Sequence, residues 1–153
     1  MKLAEALSLR AQLNNKISQL RSRLNDCIKI QEGDTPSESP EDVLKELDQT
    51  LSGFRRLIYL INMTNTKTVT EDNRNITSLL AERDALALRV RTLYDAIRTM
   101  TEKESRYSRS EIKYVRTMDV AELRKLHDNN ASELRKLDLE IQGLGFTTDL
   151  IEK

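Results

Sequence analysis

From residue 3 onward, Leu3, Ala6, Arg10, Leu13, Ile17, Leu20, Leu24 and Cys27 follow one another at alternating steps of three and four without a break. Only a helix returns residues at that spacing to one face, so the pattern commits the chain to a long amphipathic helix. The same step recurs three times: through Leu44, Leu47, Leu51, Phe54, Ile58 and Ile61; through Leu86, Val90, Leu93, Ile97 and Met100, with Leu79 one heptad before; and through Val120, Leu123, His127, Asn130, Leu134, Leu137, Ile141 and Leu144. The expected helices cover about 2–30, 40–63, 78–102 and 120–143. Ser39 before Pro40, Glu41 and Asp42 reads as a capped start with acid at the positive end of the helix dipole. Thr77 reads as the N-cap of the third helix, Asp119 with Glu122 as the capped start of the fourth, and Gly143 with Gly145 as its stop.

Four segments of similar length joined by short connections imply an all-α fold. Its expected form is one domain over residues 1–153, with long antiparallel helices in an up-down four-helix bundle or helical-hairpin arrangement. The first seam carries Leu7, Leu9 and Ile28 on its flanks, a face broader than a two-stranded coiled coil requires. Two connections look partly extended: residues 66–70 are rich in β-branched side chains, and residues 111–117 interleave charged with apolar groups, so minor β structure is expected in the loops.

Lysine plus arginine and aspartate plus glutamate balance at 25 each. With no net field, non-specific attraction to nucleic acid or an anionic membrane is not expected. The charge is nevertheless written in blocks. Residues 1–30 hold six basic against two acidic groups, residues 31–50 one against seven, and residues 98–116 six against three. No stretch approaches the ~18 apolar residues of a membrane span, and Met1–Leu7 has no apolar export core, so a soluble, cytoplasmic protein is expected. The one cysteine, Cys27, sits on a seam, reads as a small buried hydrophobe, and excludes an intrachain disulfide.

Chemistry-bearing patterns are sparse. His127 next to Asp128 has no second histidine, and adjacent helix positions point about 100° apart, which argues against a metal pair or an oriented base. Asn130 in a seam fits a residue that sets helix register. The Gln31-Glu32-Gly33-Asp34 turn lacks the carboxylate ladder of a calcium loop, and no Gly-rich phosphate loop, Gly-x-Ser-x-Gly elbow or HExxH pair is present. The expectation is therefore no enzyme, no catalytic residue, no metal and no cofactor.

Met1-Lys2-Leu3-Ala4-Glu5-Ala6-Leu7 with Arg10-Ala11, Gln31-Glu32-Gly33-Asp34-x-Pro36, Ile61-Asn62-x-Thr64-Asn65, Ala81-Glu82-Arg83-Asp84 and Arg106-Tyr107-Ser108-Arg109-Ser110-Glu111-Ile112 together resemble the septicolysin-like family of small bacterial helical proteins. That resemblance implies a helical chain without an assigned biochemical role and, through the family's name, a membrane-active cytolysin as an alternative function. It directs attention to polar corner residues as binding or loop-locking groups: Arg106, Tyr107, Arg109, Ser110, Glu111, Asn62, Thr64, Asn65, Arg83 and Asp84. The basic 106–116 stretch offers a further alternative, an anion or phosphate site using Arg106, Arg109, Ser110 and Lys113.

Long helices with two Phe, four Tyr and no Trp must fill their core with Leu and Ile. Leu7, Leu9 and Ile28 on the first helix, and Leu126 and Leu139 on the fourth, exceed what neighbours in one chain can cover. The expected partners are a second copy of the chain, as a closed homo-oligomer, and an unspecified protein or small molecule.

Overall fold

A computed structural model describes residues 1–102 and 112–152. The fold is all-α, built from α1 (Leu3–Cys27), α2 (Pro40–Lys67), α3 (Ile76–Thr101) and α4 (Val120–Thr147). Among the described residues β structure is confined to two isolated bridges, Val69 with Asn75 and Lys2 with Asp149. The expected extended piece at 111–117 does not form a ladder over 112–117, and Glu111 lies outside the described residues. The helices form two compact units, one of Met1–Thr77 with Gln142–Lys153 and one of Ser78–Ile141.

In the first unit α1 and α2 pack along each other around Leu20, Cys27 and Val43, with Leu24 and Leu47 closing the cluster. Lys16 pairs with Glu46 at 3.0 Å, and Arg23 pairs with Glu46 at 3.1 Å and Glu38 at 2.5 Å. Partner numbers fall on α2 as they rise on α1, which is the signature of an antiparallel pair. Ser39 Oγ accepts the Asp42 amide at 3.3 Å and caps α2 as its sequence implied. The α1 seam lies where its spacing placed it, except that Arg10 is exposed.

The α2 seam is displaced by about one position from the Leu44–Leu51 reading. Val43, Thr50, Leu57, Ile61 and Thr64 are buried, whereas Leu44 and Leu51 are 42% and 40% exposed. The physical reason is that Thr50 and Thr64 donate their hydroxyls to the carbonyls of Glu46 and Leu60, each at 2.8 Å. A threonine whose hydroxyl is spent on its own helix offers the core a methyl group and behaves as an apolar seam residue.

α2 runs four residues past its expected end and α4 runs through Gly143 and Gly145 to Thr147. A glycine ends a helix when it takes the left-handed conformation, and the only positive-φ glycine among the described residues is Gly33. Gly145 instead lies buried against Ala4, where an added Cβ would sit 3.8 Å from that of Ala4. The two chain ends then clasp. Leu3 N–H donates to Thr148 O at 2.9 Å, Leu150 N–H to Met1 O at 2.9 Å, and Lys2 Nζ reaches Thr147 O at 3.0 Å and Asp149 at 2.8 Å. α3 starts at Ile76, one residue before Thr77, so Thr77 is in its first turn and not its cap. The preceding turn is held by Thr70, whose hydroxyl donates to Arg74 O at 2.7 Å, and by Asn73 at a φ of 64°.

The second unit is the α3–α4 hairpin. Asp119 caps α4, its carboxylate accepting the Ala121 amide at 2.9 Å. Tyr94 of α3 meets His127 of α4 with ring centroids 6.3 Å apart, and Arg116 Nε donates to Met100 O at 3.1 Å. Arg116, before α4, meets the end of α3 and His127 meets an earlier turn, so the chain returns antiparallel to α3.

Candidate interaction surface

An amphipathic helix is stable in water only when its apolar stripe is covered, so the degree of cover shows where a partner belongs. In the first unit the α1–α2 pair reaches full burial at Leu20, Val43 and Ile61. In the second, the buried residues among those described are Leu79, Leu123, Asn130 and Leu137. From Leu80 to Met100 no residue of α3 is buried, although Leu86, Val90, Leu93, Ile97 and Met100 keep the three-four step throughout. Two helices lying side by side can shield only the line along which they touch. Tyr94 stays 57% exposed beside that line, and Leu88, Leu126 and Leu139 are also exposed.

Asn130 sits in the middle of the α4 seam. It is 7% exposed and its Oδ1 has no hydrogen-bond partner. A buried amide oxygen without a donor is costly, by roughly 1–3 kcal/mol, and is rare in a completed core. The neighbouring His127 Nδ1 lies 3.1 Å from Asp128 Oδ1. Adjacent in sequence and at the surface, that pair converges on no further ligand, and among the described residues no group of three or more His, Cys, Asp or Glu could hold a metal.

The hairpin also carries an open groove of about 810 Å³ between the last turns of α3 and residues 114–117, lined by Thr99, Met100, Glu102, Tyr114 and Arg116 among others. Ile112, Tyr114 and Val115 stand almost fully exposed beside it. Lys113 and Arg116 are the described members of the basic 106–116 stretch, and Arg116 is already engaged with the Met100 carbonyl. Arg106, Tyr107, Arg109, Ser110 and Glu111 lie outside the described residues.

The remaining sequence candidates fall into two places. Asn62, Thr64 and Asn65 share the C-terminal end of α2. Thr64 is fully buried there, and its hydroxyl accepts the Ile151 amide at 2.9 Å, so it locks the C-terminal segment. Asn62 is exposed, and its carbonyl accepts the Thr66 hydroxyl at 2.9 Å. Arg83 and Asp84 belong to α3 and bind each other at 2.7 Å. Arg83 also occupies a seam position, four residues after Leu79 and three before Leu86. Tyr94 was overlooked because it stands one position off the Val90–Leu93–Ile97 line; its signal was a second stripe, Leu80–Ala87–Tyr94, at heptad spacing.

Among the described residues electrostatic perturbation concentrates away from the hairpin. Glu38 is held below the usual carboxylate range by its bond to Arg23, Glu46 by Lys16 and then Arg23, and Asp149 by Lys2. Glu38 and Glu46 in turn push Arg23 further up. All are ion pairs that tie one chain segment to another.

The sequence profile of a family described as a family of unknown function matches residues 10–150. The chain belongs to that family, DUF6847. A structural relative of this DUF6847 member is a functionally unknown conserved protein from Corynebacterium diphtheriae, whose crystal structure matches at a TM-score of 0.90 and 41% identity over 99% of each chain. No curated protein matches. The septicolysin-like resemblance is thereby corrected, since the family match and the structural relative both point elsewhere. Its motifs are short: Met1–Leu7 spans the start of α1 and residues 31–36 the turn after it, where capping and turn chemistry select similar residues in unrelated chains, residues 61–65 and 81–84 lie within α2 and α3, and residues 106–111 lie outside the described residues. The cytolysin reading depended on that name and falls with it.

Proposed function

We propose that this DUF6847 member is a non-catalytic helical protein that works by association, first with a second copy of itself and then, as an assembly, with another protein. The observation that carries this reading is the incomplete core of residues 78–141, where the apolar seam of α3 from Leu86 to Met100 goes without a single buried residue. A short two-helix unit buries too little of its apolar surface to offset the ordering of its chain, and association supplies the missing cover. The balanced charge of the chain lets copies approach without repulsion. The shifted carboxylates support a structural role for charge, because each is explained by an ion pair or cap at the surface. No helix among the described residues is long and apolar enough to cross a membrane.

Multi-angle light scattering on the full chain at tens of micromolar tests the reading. A mass at twice 17.7 kDa or a higher multiple is expected. A concentration-independent 17.7 kDa monomer would overturn it.

A further inference from the structure

The Tyr94–His127 contact marks one side of the α3–α4 hairpin, and helical spacing says what else lies there. Stepping back from Tyr94 by sevens gives Ala87 and Leu80, which stay on the same stripe of α3. On α4, His127, Ala131 and Leu134 follow at steps of four and three. The side therefore reads Leu80, Ala87 and Tyr94 over His127, Ala131 and Leu134, and none of the six is fully buried. Two alanines lie at its middle with larger groups around them, a relief that admits another helix pair at close range.

We infer that this face docks the same face of a second copy, so that two hairpins complete one antiparallel four-helix bundle. The inference rests on the self-association proposed above and names its surface. Three observations select a second copy as the occupant. The first is size. From residue 80 to the end of α3 the hairpin is roughly 33 Å long, and two helices side by side are about 20 Å wide, giving a footprint of roughly 650 Å². That is close to the roughly 800 Å² each partner of a standard interface contributes. The second is charge. α3 carries four basic against three acidic groups and α4 four against five, so α3 of one copy meets α4 of the other with opposite net sign, whereas a polyanion gains nothing. The third is the orphaned Asn130 Oδ1, in a core that two helices leave unfinished. Bundle cores use such an amide to select one register among several apolar ones.

The test uses the full chain and compares masses across concentration for Ala87→Arg, Ala131→Arg, Tyr94→Glu and, about 100° round α3 from that stripe, Leu88→Arg. Tyr94 and Leu88 are both exposed, so these two variants are expected to fold even where the alanine variants do not, and far-UV circular dichroism checks that they do. The inference expects the three face variants to weaken self-association by about thirtyfold or more with helicity retained, and Leu88→Arg to keep the wild-type mass. A multimeric wild type whose mass survives Tyr94→Glu, or which Leu88→Arg dissociates equally, would overturn this face while leaving self-association standing. A monomeric wild type would overturn both.

Discussion

Replacing Thr64 with valine removes one oxygen from the place where α2 holds the C-terminal segment. The side chain is fully buried, donates to Leu60 O at 2.8 Å and accepts from Ile151 N at 2.9 Å. Valine has nearly the same shape, so packing is kept. Loss of the bond to Leu60 costs little, since that carbonyl already lies in the helix ladder. Loss of the bond to Ile151 leaves an amide donor without an acceptor. The segment cannot simply lift away to find water, because Leu150 beside it is buried, and exposing a leucine costs about 1.5–3 kcal/mol. The amide therefore stays in place unpaired, at roughly 1–2 kcal/mol. For a chain of this length that is a fall in Tm of about 3–6 °C. Thr64→Ser loses a methyl group and comparable global stability, about 1 kcal/mol, so melting alone does not separate the two variants. Hydrogen exchange does: the Ile151 amide should exchange about tenfold faster in Thr64→Val and at the wild-type rate relative to global stability in Thr64→Ser. An Ile151 amide equally protected in both variants would refute the assignment of Thr64 as the lock.

Acid should loosen the α1–α2 pair. Arg23 holds Glu38, and Lys16 with Arg23 holds Glu46, below the usual carboxylate range, so their contribution is present above that range and is lost as pH falls through the folded values. Thermal melts at about pH 7 and pH 3.5 should show this loss, and Arg23→Met should shrink the difference by returning Glu38 toward its ordinary range; an unchanged acid dependence would exclude the ion pairs as its source. Gly143→Ala should stabilise the chain by about 0.5–1 kcal/mol, because position 143 is helical and a Cβ there meets nothing within 4 Å. A loss of stability in urea denaturation would restore Gly143 as a helix stop.

Much of the fold was legible in the chain as a string. The three-four step announced all four helices, and capping at Ser39 and Asp119 placed two of their starts within a residue. These features are local: each depends on neighbours within one or two helical turns. The errors share an origin too. Gly143 and Gly145 resemble a stop until Ala4 packs against Gly145, and Thr50 and Thr64 resemble polar surface until their hydroxyls turn back onto the helix. Of the candidate binding residues, Thr64 holds the Ile151 amide, and Arg83 and Asp84 bind each other. The stripe through Tyr94 was written in the sequence but indistinguishable there from any broad helix face.

The sequence by itself determined which stretches are helical, where their apolar lines run and that the charges cancel, because period and composition are properties of neighbouring residues. Tertiary structure alone decided that the chain ends clasp through Lys2, Asp149 and Thr64, and that α1–α2 reaches full burial while the α3 seam from Leu86 to Met100 stays only partly covered. Burial depends on how many elements meet at a face, and no residue's neighbours in the chain carry that information.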